Sequence, residues 1–168
     1  MRSIQKATVL VILFGVAFAL LMLPLQSASR DHGFSATYAS PQSGSDEPVP
    51  AFHAQPPTGP LPATLSPESF SDPVVQNAYT VAAHVKKVLY QEPCYCRCDR
   101  SQGHTSLLDC FASKHGSGCQ ICVREDLYTY EQTHKGKTPA QIRDGIIQGE
   151  WQSVDITKYQ TPLPVAHK

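Results

Sequence analysis

The chain has 168 residues with 14 basic and 14 acidic side chains, so its formal net charge is zero. Nucleic-acid binding normally leaves a clustered basic face, and no such cluster occurs, which excludes that class of partner. The length allows one ordinary domain, and the N-terminal third is poorly suited to be part of it.

Residues 1–29 set the location. Arg2 and Lys6 form a positive start, and residues 9–25 (VLVILFGVAFALLMLPL) are an unbroken apolar run. A secretory apolar core runs to roughly 7–15 residues and a spanning helix to about 20, and this run falls between them. Ser27-Ala28-Ser29 offers small residues for a signal peptidase, and no Cys follows the run as a lipid-modification site would need. A signal peptide or an N-terminal membrane anchor both place Arg30 onward outside. The chain is therefore expected to be exported, to the periplasm or the outer face of the cytoplasmic membrane, anchored or released.

Residues 30–71 read as a disordered Pro/Ser-rich linker. Nine of the 14 prolines lie between Pro41 and Pro73, among Ser, Gly, Ala and Gln. Neither a 3.6 nor a 2.0 hydrophobic period is present to offset the entropy of ordering, so a semi-stiff stalk is expected. A PxxP ligand is the other reading of this composition.

Order is expected over residues 72–157, in a mainly α, small Cys-rich domain of three to four helices. Ser71 or Asp72 caps the first helix and Pro73 suits its first turn. Val74, Ala78, Ala82, Val85 and Leu89 then recur at helical spacing to about Tyr90, where Pro93 ends the helix. His84 lies off that stripe, on the surface. A second helix is predicted over residues 106–114 with Thr105 as cap. A third begins where Ser117 and Gln120 have capping-box spacing, carries Val123, Leu127, Tyr130 and His134 along one face, and stops at Gly136. A fourth starts at Thr138-Pro139, turns Ile142 and Ile146 inward and ends near Gly149. A short strand around residues 154–156 and a flexible tail over 158–168 complete the reading. So small a core commonly needs disulfides or a metal.

All six cysteines fall within residues 94–122: Cys94-Tyr-Cys96-Arg-Cys98, then Cys110, then Cys119-Gln-Ile-Cys122, with His104 and His115 among them. A Cys-x-x-Cys at a helix start lets two sulfurs converge on one ion. The positive helix end also favours thiolate, which either a metal ligand or a nucleophile needs. Dense sulfur selects Cu(I), Zn or iron–sulfur clusters over hard ions; copper or zinc is the expected cofactor. Candidate metal ligands are Cys94, Cys96, Cys98, Cys110, Cys119, Cys122, His104 and His115. These eight donors could fill two four-coordinate sites, or one site beside a disulfide. Asp99 and Asp109 are candidates to orient a ligating His, and Tyr128, Tyr130 and Trp151 read as core and rim.

Two other readings stay open. Six cysteines in an exported domain suit a disulfide framework with 15 pairings, although CxCxC is awkward for bridges. Alternatively Cys96, Cys98, Cys119 and Cys122 cycle between dithiol and disulfide in a thiol-dependent oxidoreductase. No Ser-His-Asp spacing, P-loop, dinucleotide fingerprint or HExxH supports hydrolase or nucleotide chemistry. Beyond the membrane, the expected partner is an unidentified extracytoplasmic metal-handling or redox protein.

The strings LYQEPCYCRCD, GHTSLLDCF, HGSGCQIC and GKTPAQIR carry a resemblance, over residues 78–151, to a family of exported bacterial proteins of uncharacterised function named for a PCYCGC or CYCXC motif. The resemblance implies shared use of the six cysteines, His104, His115 and Asp109. It also implies that some relatives carry selenocysteine at the position of Cys98, which favours redox or soft-metal chemistry over scaffolding. Arg97 departs from the pattern, since many relatives have Gly there. The family brings no established activity.

Overall fold

A computed structural model describes residues 47–163. The expected membrane segment, residues 30–46 of the expected linker and residues 164–168 lie outside them. Among the described residues no helix is long and apolar enough to cross a membrane, and the secondary structure is helical with no strand.

Helix α1 (Pro73–His84) starts as its sequence dictates. Asp72 Oδ1 accepts from the backbone N–H of Val74 at 2.8 Å and Val75 at 3.4 Å, and Pro73 occupies the first turn. Capping of this kind contributes about 1 kcal/mol. Its inner face buries Val75, Ala78, Tyr79, Val81 and Ala82. The expected continuous helix to Tyr90 bends instead at Val85 (φ −109°, ψ 22°), and a separate turn, α2 (Lys86–Leu89), follows. Both Val85 and Leu89 stay buried across the bend.

Next come two short helices, α3 (Cys98–Ser101) and α4 (Leu107–Phe111). The first has no sequence period to betray it. The second is shorter than the 106–114 expected, and Leu107, Leu108, Cys110 and Phe111 are all buried, as in a helix packed on every side. Thr105 is not its cap. Asp109 reaches back instead, Oδ2 accepting from Thr105 N at 2.7 Å and Thr105 Oγ1 at 2.9 Å. A 3-10 turn, His115–Gly118, leads into the long helix α5 (Gln120–His134). The expected capping box is absent there: Ser117 Oγ donates to Lys114 O, and Cys119 holds the cap position without a side-chain bond. At the other end Gly136, at φ 77°, takes the left-handed conformation that closes the helix, with Lys137 N bonded to Gln132 O. Helix α6 (Pro139–Ile147) has the full capping box between Thr138 and Gln141.

Tyr79 ties α1 to the loop that carries the site. Its ring is fully buried against Phe111 and Phe70. Its hydroxyl donates to Ser113 O at 2.7 Å and accepts from Ser117 N at 3.1 Å. Gly145 is needed where α6 meets α5, because a Cβ there would lie 2.0 Å from the Tyr128 hydroxyl.

Two stretches expected to be loose are laid on this core. In the stretch read as spacer, residues 47–71 run over the domain. Leu65 N bonds to Phe111 O at 2.9 Å, Leu61, Leu65 and Phe70 pack on the core, and His53 stacks on Tyr90 with ring centroids 3.9 Å apart. The apolar side chains enter separate niches, so no period announces them, and the prolines lower the entropy lost on ordering. The start of the expected flexible tail is likewise docked. Asn77 Nδ2 donates to Tyr159 O and Thr161 O at 2.7 and 2.8 Å, its Oδ1 accepts from Leu163 N, and Tyr159 is buried. In place of the expected strand near residue 154, a 3-10 turn, Ile156–Tyr159, follows buried Val154.

Candidate metal centre

The CxCxC run enters from buried Pro93 and folds into a turn, with Arg97 N bonded to Cys94 O at 3.2 Å. A turn, unlike an extended strand, directs all three sulfurs to one side, and the Sγ atoms of Cys94, Cys96 and Cys98 lie within 4.8 Å of one another. Tyr95 N, in the middle of the turn, donates to Glu125 Oε1 on α5 at 2.8 Å and fixes the turn to that helix.

The turn needs a left-handed residue, and Arg97 supplies it at φ 60°, ψ 33°. This is the one non-glycine residue with positive φ among those described, at the position where the motif has glycine. The conformation costs an L-residue about 1–2 kcal/mol. Partial compensation comes from Arg97 bonding Pro48 O and Glu47, the latter at 3.0 Å, and lying over the Tyr95 ring at 5.4 Å. Arg97→Ala and Arg97→Gly both lose these contacts, and only glycine loses the backbone cost as well. Arg97→Gly is therefore expected to be about 1 kcal/mol more stable than Arg97→Ala in urea denaturation. Equal stability would mean that the backbone is not left-handed there.

The remaining donors close in from the loop before α4, α4 itself, the loop after it and α5. Cys98 Sγ lies 3.4 Å from Cys110 Sγ, which lies 3.4 Å from His104 Nδ1. Gly103, at φ 70°, turns the chain so that His104 N bonds back to Cys98 O. His115 Nε2 is 3.4 Å from Cys96 Sγ. From the first turn of α5, Cys122 Sγ sits 3.4 Å from Cys94 Sγ and 3.5 Å from Cys96 Sγ. Cys119 completes a group with Cys96, His115 and Cys122 whose donor atoms all lie within 4.8 Å of one another. Gly116 permits this closeness, since a Cβ there would stand 3.0 Å from Cys110 O and 3.2 Å from the Tyr79 hydroxyl.

All eight donors expected from the sequence thus meet, from the three separate stretches that carry them. The six cysteines are free thiols. Their closest separations, 3.3–3.5 Å, are far from the roughly 2.05 Å of a disulfide. They are close to the sulfur–sulfur edge of about 3.8 Å that a tetrahedron with metal–sulfur bonds near 2.3 Å requires. Cys94, Cys98, Cys110 and Cys122 are buried, whereas Cys96, Cys119 and both imidazoles are half-buried.

The electrostatics follow from crowding. The crowded thiols of Cys110, Cys122, Cys94 and Cys98 hold the Cys96 thiol well below the ordinary thiol range. Cys110 is driven up, chiefly by the nearness of the Cys122 thiol. One thiolate is favoured at its neighbours' expense, so a cation is the natural means of ionising the rest. Burial, and then the charge of His115, lowers the pKa of His104 and favours the neutral imidazole that can ligate.

Asp99 and Asp109 do not orient an imidazole. Their carboxylates accept from Ala51 N at 3.3 Å and from Thr105 N and Oγ1 at 2.7 and 2.9 Å. Tyr128 is core, and Tyr130 and Trp151 pack at its margin, as expected. The sequence reading missed three buried carboxyls, Glu92, Glu125 and Asp126, each fully inaccessible. Burial pushes Glu92 and Glu125 up to about 8 and raises Asp126 well above the ordinary range. It also missed the cover over the centre: Pro50 and Ala51 line a small cleft with Cys94, Cys98, Asp99, His104 and Ser106.

A family model described as a protein of unknown function with PCYCGC motif matches residues 58–164. No curated protein and no solved structure matches the chain.

Proposed function

The chain belongs to the family of proteins of unknown function with a PCYCGC motif, and from the sulfur geometry at its centre we propose that it binds a soft metal, copper or zinc, outside the cytoplasm. The observation that carries the reading is the group Cys96, His115, Cys119 and Cys122, four donors within 4.8 Å of one another. Three sulfurs and one imidazole are a complete shell for zinc and a suitable one for Cu(I), whereas hard cations prefer oxygen. The extracytoplasmic part of the proposal draws on Arg2, Lys6 and the apolar run over residues 9–25. A protein so placed holds or passes on metal at the outer face of the membrane, with an extracytoplasmic metal-handling protein as its partner.

The test is elemental analysis of the full chain purified without oxygen. The expected result is at least about one equivalent of copper or zinc, retained through gel filtration and reduced by about one equivalent in Cys119→Ser. Metal-free protein whose mass shows three disulfides would overturn the reading in favour of a scaffold.

A second reading, thiol–disulfide exchange, has one observation in its favour. Cys96 is half-exposed, its thiolate is stabilised, and Cys94 Sγ stands 3.3 Å away as a resolving sulfur. It predicts one thiol that alkylates much faster than the other five in metal-free protein.

A further inference from the structure

We propose that the centre holds two soft ions in two contiguous Cys3His half-sites. The inference rests on the soft-metal reading above and concerns how many ions are held and by which residues. The first half-site is Cys96, His115, Cys119 and Cys122. The donors left over form a second set of the same composition: Cys94, Cys98, Cys110 and His104. Within it, Cys110 Sγ is 3.4 Å from both Cys98 Sγ and His104 Nδ1. Cys94 lies within 4.8 Å of Cys98 in one donor group and of Cys110 in another, and Cys94, Cys98 and His104 line one cleft. A single four-coordinate ion would leave three thiols and an imidazole at the centre without a ligand role. Two ions use every donor, as a buried polar cluster requires.

The half-sites touch through sulfur and imidazole: His115, of the first set, has a ring nitrogen within 4.8 Å of the Sγ atoms of Cys98 and Cys110, of the second. Cys94 Sγ, of the second set, is 3.3 Å from Cys96 Sγ and 3.4 Å from Cys122 Sγ, both of the first. At that separation one thiolate can bridge the two ions. Ligating thiols release their protons to solvent as each ion binds. The half-sites differ in access. Three donors of the first, Cys96, Cys119 and His115, are half-buried, whereas the second is closed by Pro50 and Ala51 and has Cys94, Cys98 and Cys110 buried. The first half-site therefore exchanges its ion with solvent, and the second holds its ion behind the 47–53 segment.

Titration of the reduced full chain with Cd(II), followed by sulfur-to-metal charge-transfer absorption, tests this directly. The expected plateau is at about two equivalents. Cys119→Ser and His104→Ala, which touch different half-sites at half-buried positions, each lower it to about one. Added chelator is expected to remove one ion at least about tenfold faster than the other, because access differs. Far-UV circular dichroism of each variant separates loss of a site from loss of the fold. A plateau at one equivalent in the wild-type chain overturns the two-ion inference and leaves the soft-metal reading standing. No binding at all overturns both, and a plateau above two overturns the division into half-sites.

Discussion

Replacing Cys122 by serine is expected to weaken metal binding by roughly a hundredfold or more, measured by competition with a chromophoric chelator. Cys122 joins the sulfurs of α5 to those of the CxCxC turn. It is fully buried and lies 3.4 and 3.5 Å from Cys94 and Cys96. It also shares one donor group with His115 and Cys119 and another with Cys94 and Cys110. Loss of a residue that merely orients a ligand typically costs 10–100-fold in affinity, so loss of a ligand itself belongs at or beyond the top of that range. The serine hydroxyl is nearly isosteric, so the fold should survive, and thermal unfolding of the metal-free variant checks that it does. An affinity unchanged by Cys122→Ser would mean that the sulfur cluster is not the metal centre.

The second large effect is on stability against pH. Glu92, Glu125 and Asp126 are fully buried; both oxygens of Glu92 and of Asp126, and Oε2 of Glu125, lack a hydrogen-bond partner. Desolvation raises all three in the fold, Glu92 and Glu125 to about 8. In the unfolded chain the same groups titrate near 4. The folded state therefore binds more protons than the unfolded one, and its advantage is complete only below the unfolded pKa. It is lost as pH rises from about 4.5 toward 8, at about 1.4 kcal/mol per pH unit for each group that remains protonated in the fold. His104, lowered in the fold, acts in the opposite sense over a narrower interval near its ordinary value. Asp126→Asn isolates one carboxyl whose shift has burial as its sole cause. The difference in unfolding free energy between variant and wild type, from urea denaturation of metal-free protein, is expected to shift in the variant's favour between pH 5 and pH 8. A difference independent of pH would show that Asp126 ionises normally inside the fold.

These acids also mark where the sequence stops being informative. Glu125 and Asp126 are adjacent charges in mid-helix, a pattern that reads as a solvated face. What buries them is packing of α5 against α1 and, at Glu125, against the CxCxC turn, and no local period encodes that. The covering residues 47–71 were illegible for a similar reason. Phe52, Leu61, Leu65 and Phe70 are too irregularly spaced to announce a helix or strand, yet Leu61, Leu65 and Phe70 each find a place on the core. Features with a purely local cause could be read. Asp72-Pro73 and Thr138-Pro139 with Gln141 start helices because the cap chemistry is contained within four residues. By contrast, Ser117 and Gln120 have the same spacing and make no cap, since the Tyr79 hydroxyl takes up Ser117 N.

The centre itself was legible because its donors are concentrated. Six cysteines and two histidines within residues 94–122 leave few ways to fold that do not bring them together. The residue that tightens the turn was harder to foresee. Arg97 in a left-handed conformation, tied to Glu47 and Pro48, links the CxCxC turn to the strand of chain that covers the centre. Only a fold that brings residue 47 to residue 97 reveals the link.

The most direct measurement is X-ray absorption at the metal edge of the full chain purified without oxygen. The expected first shell is about three sulfurs near 2.3 Å with about one nitrogen near 2.0 Å per ion. A shell of oxygen and nitrogen alone would contradict it.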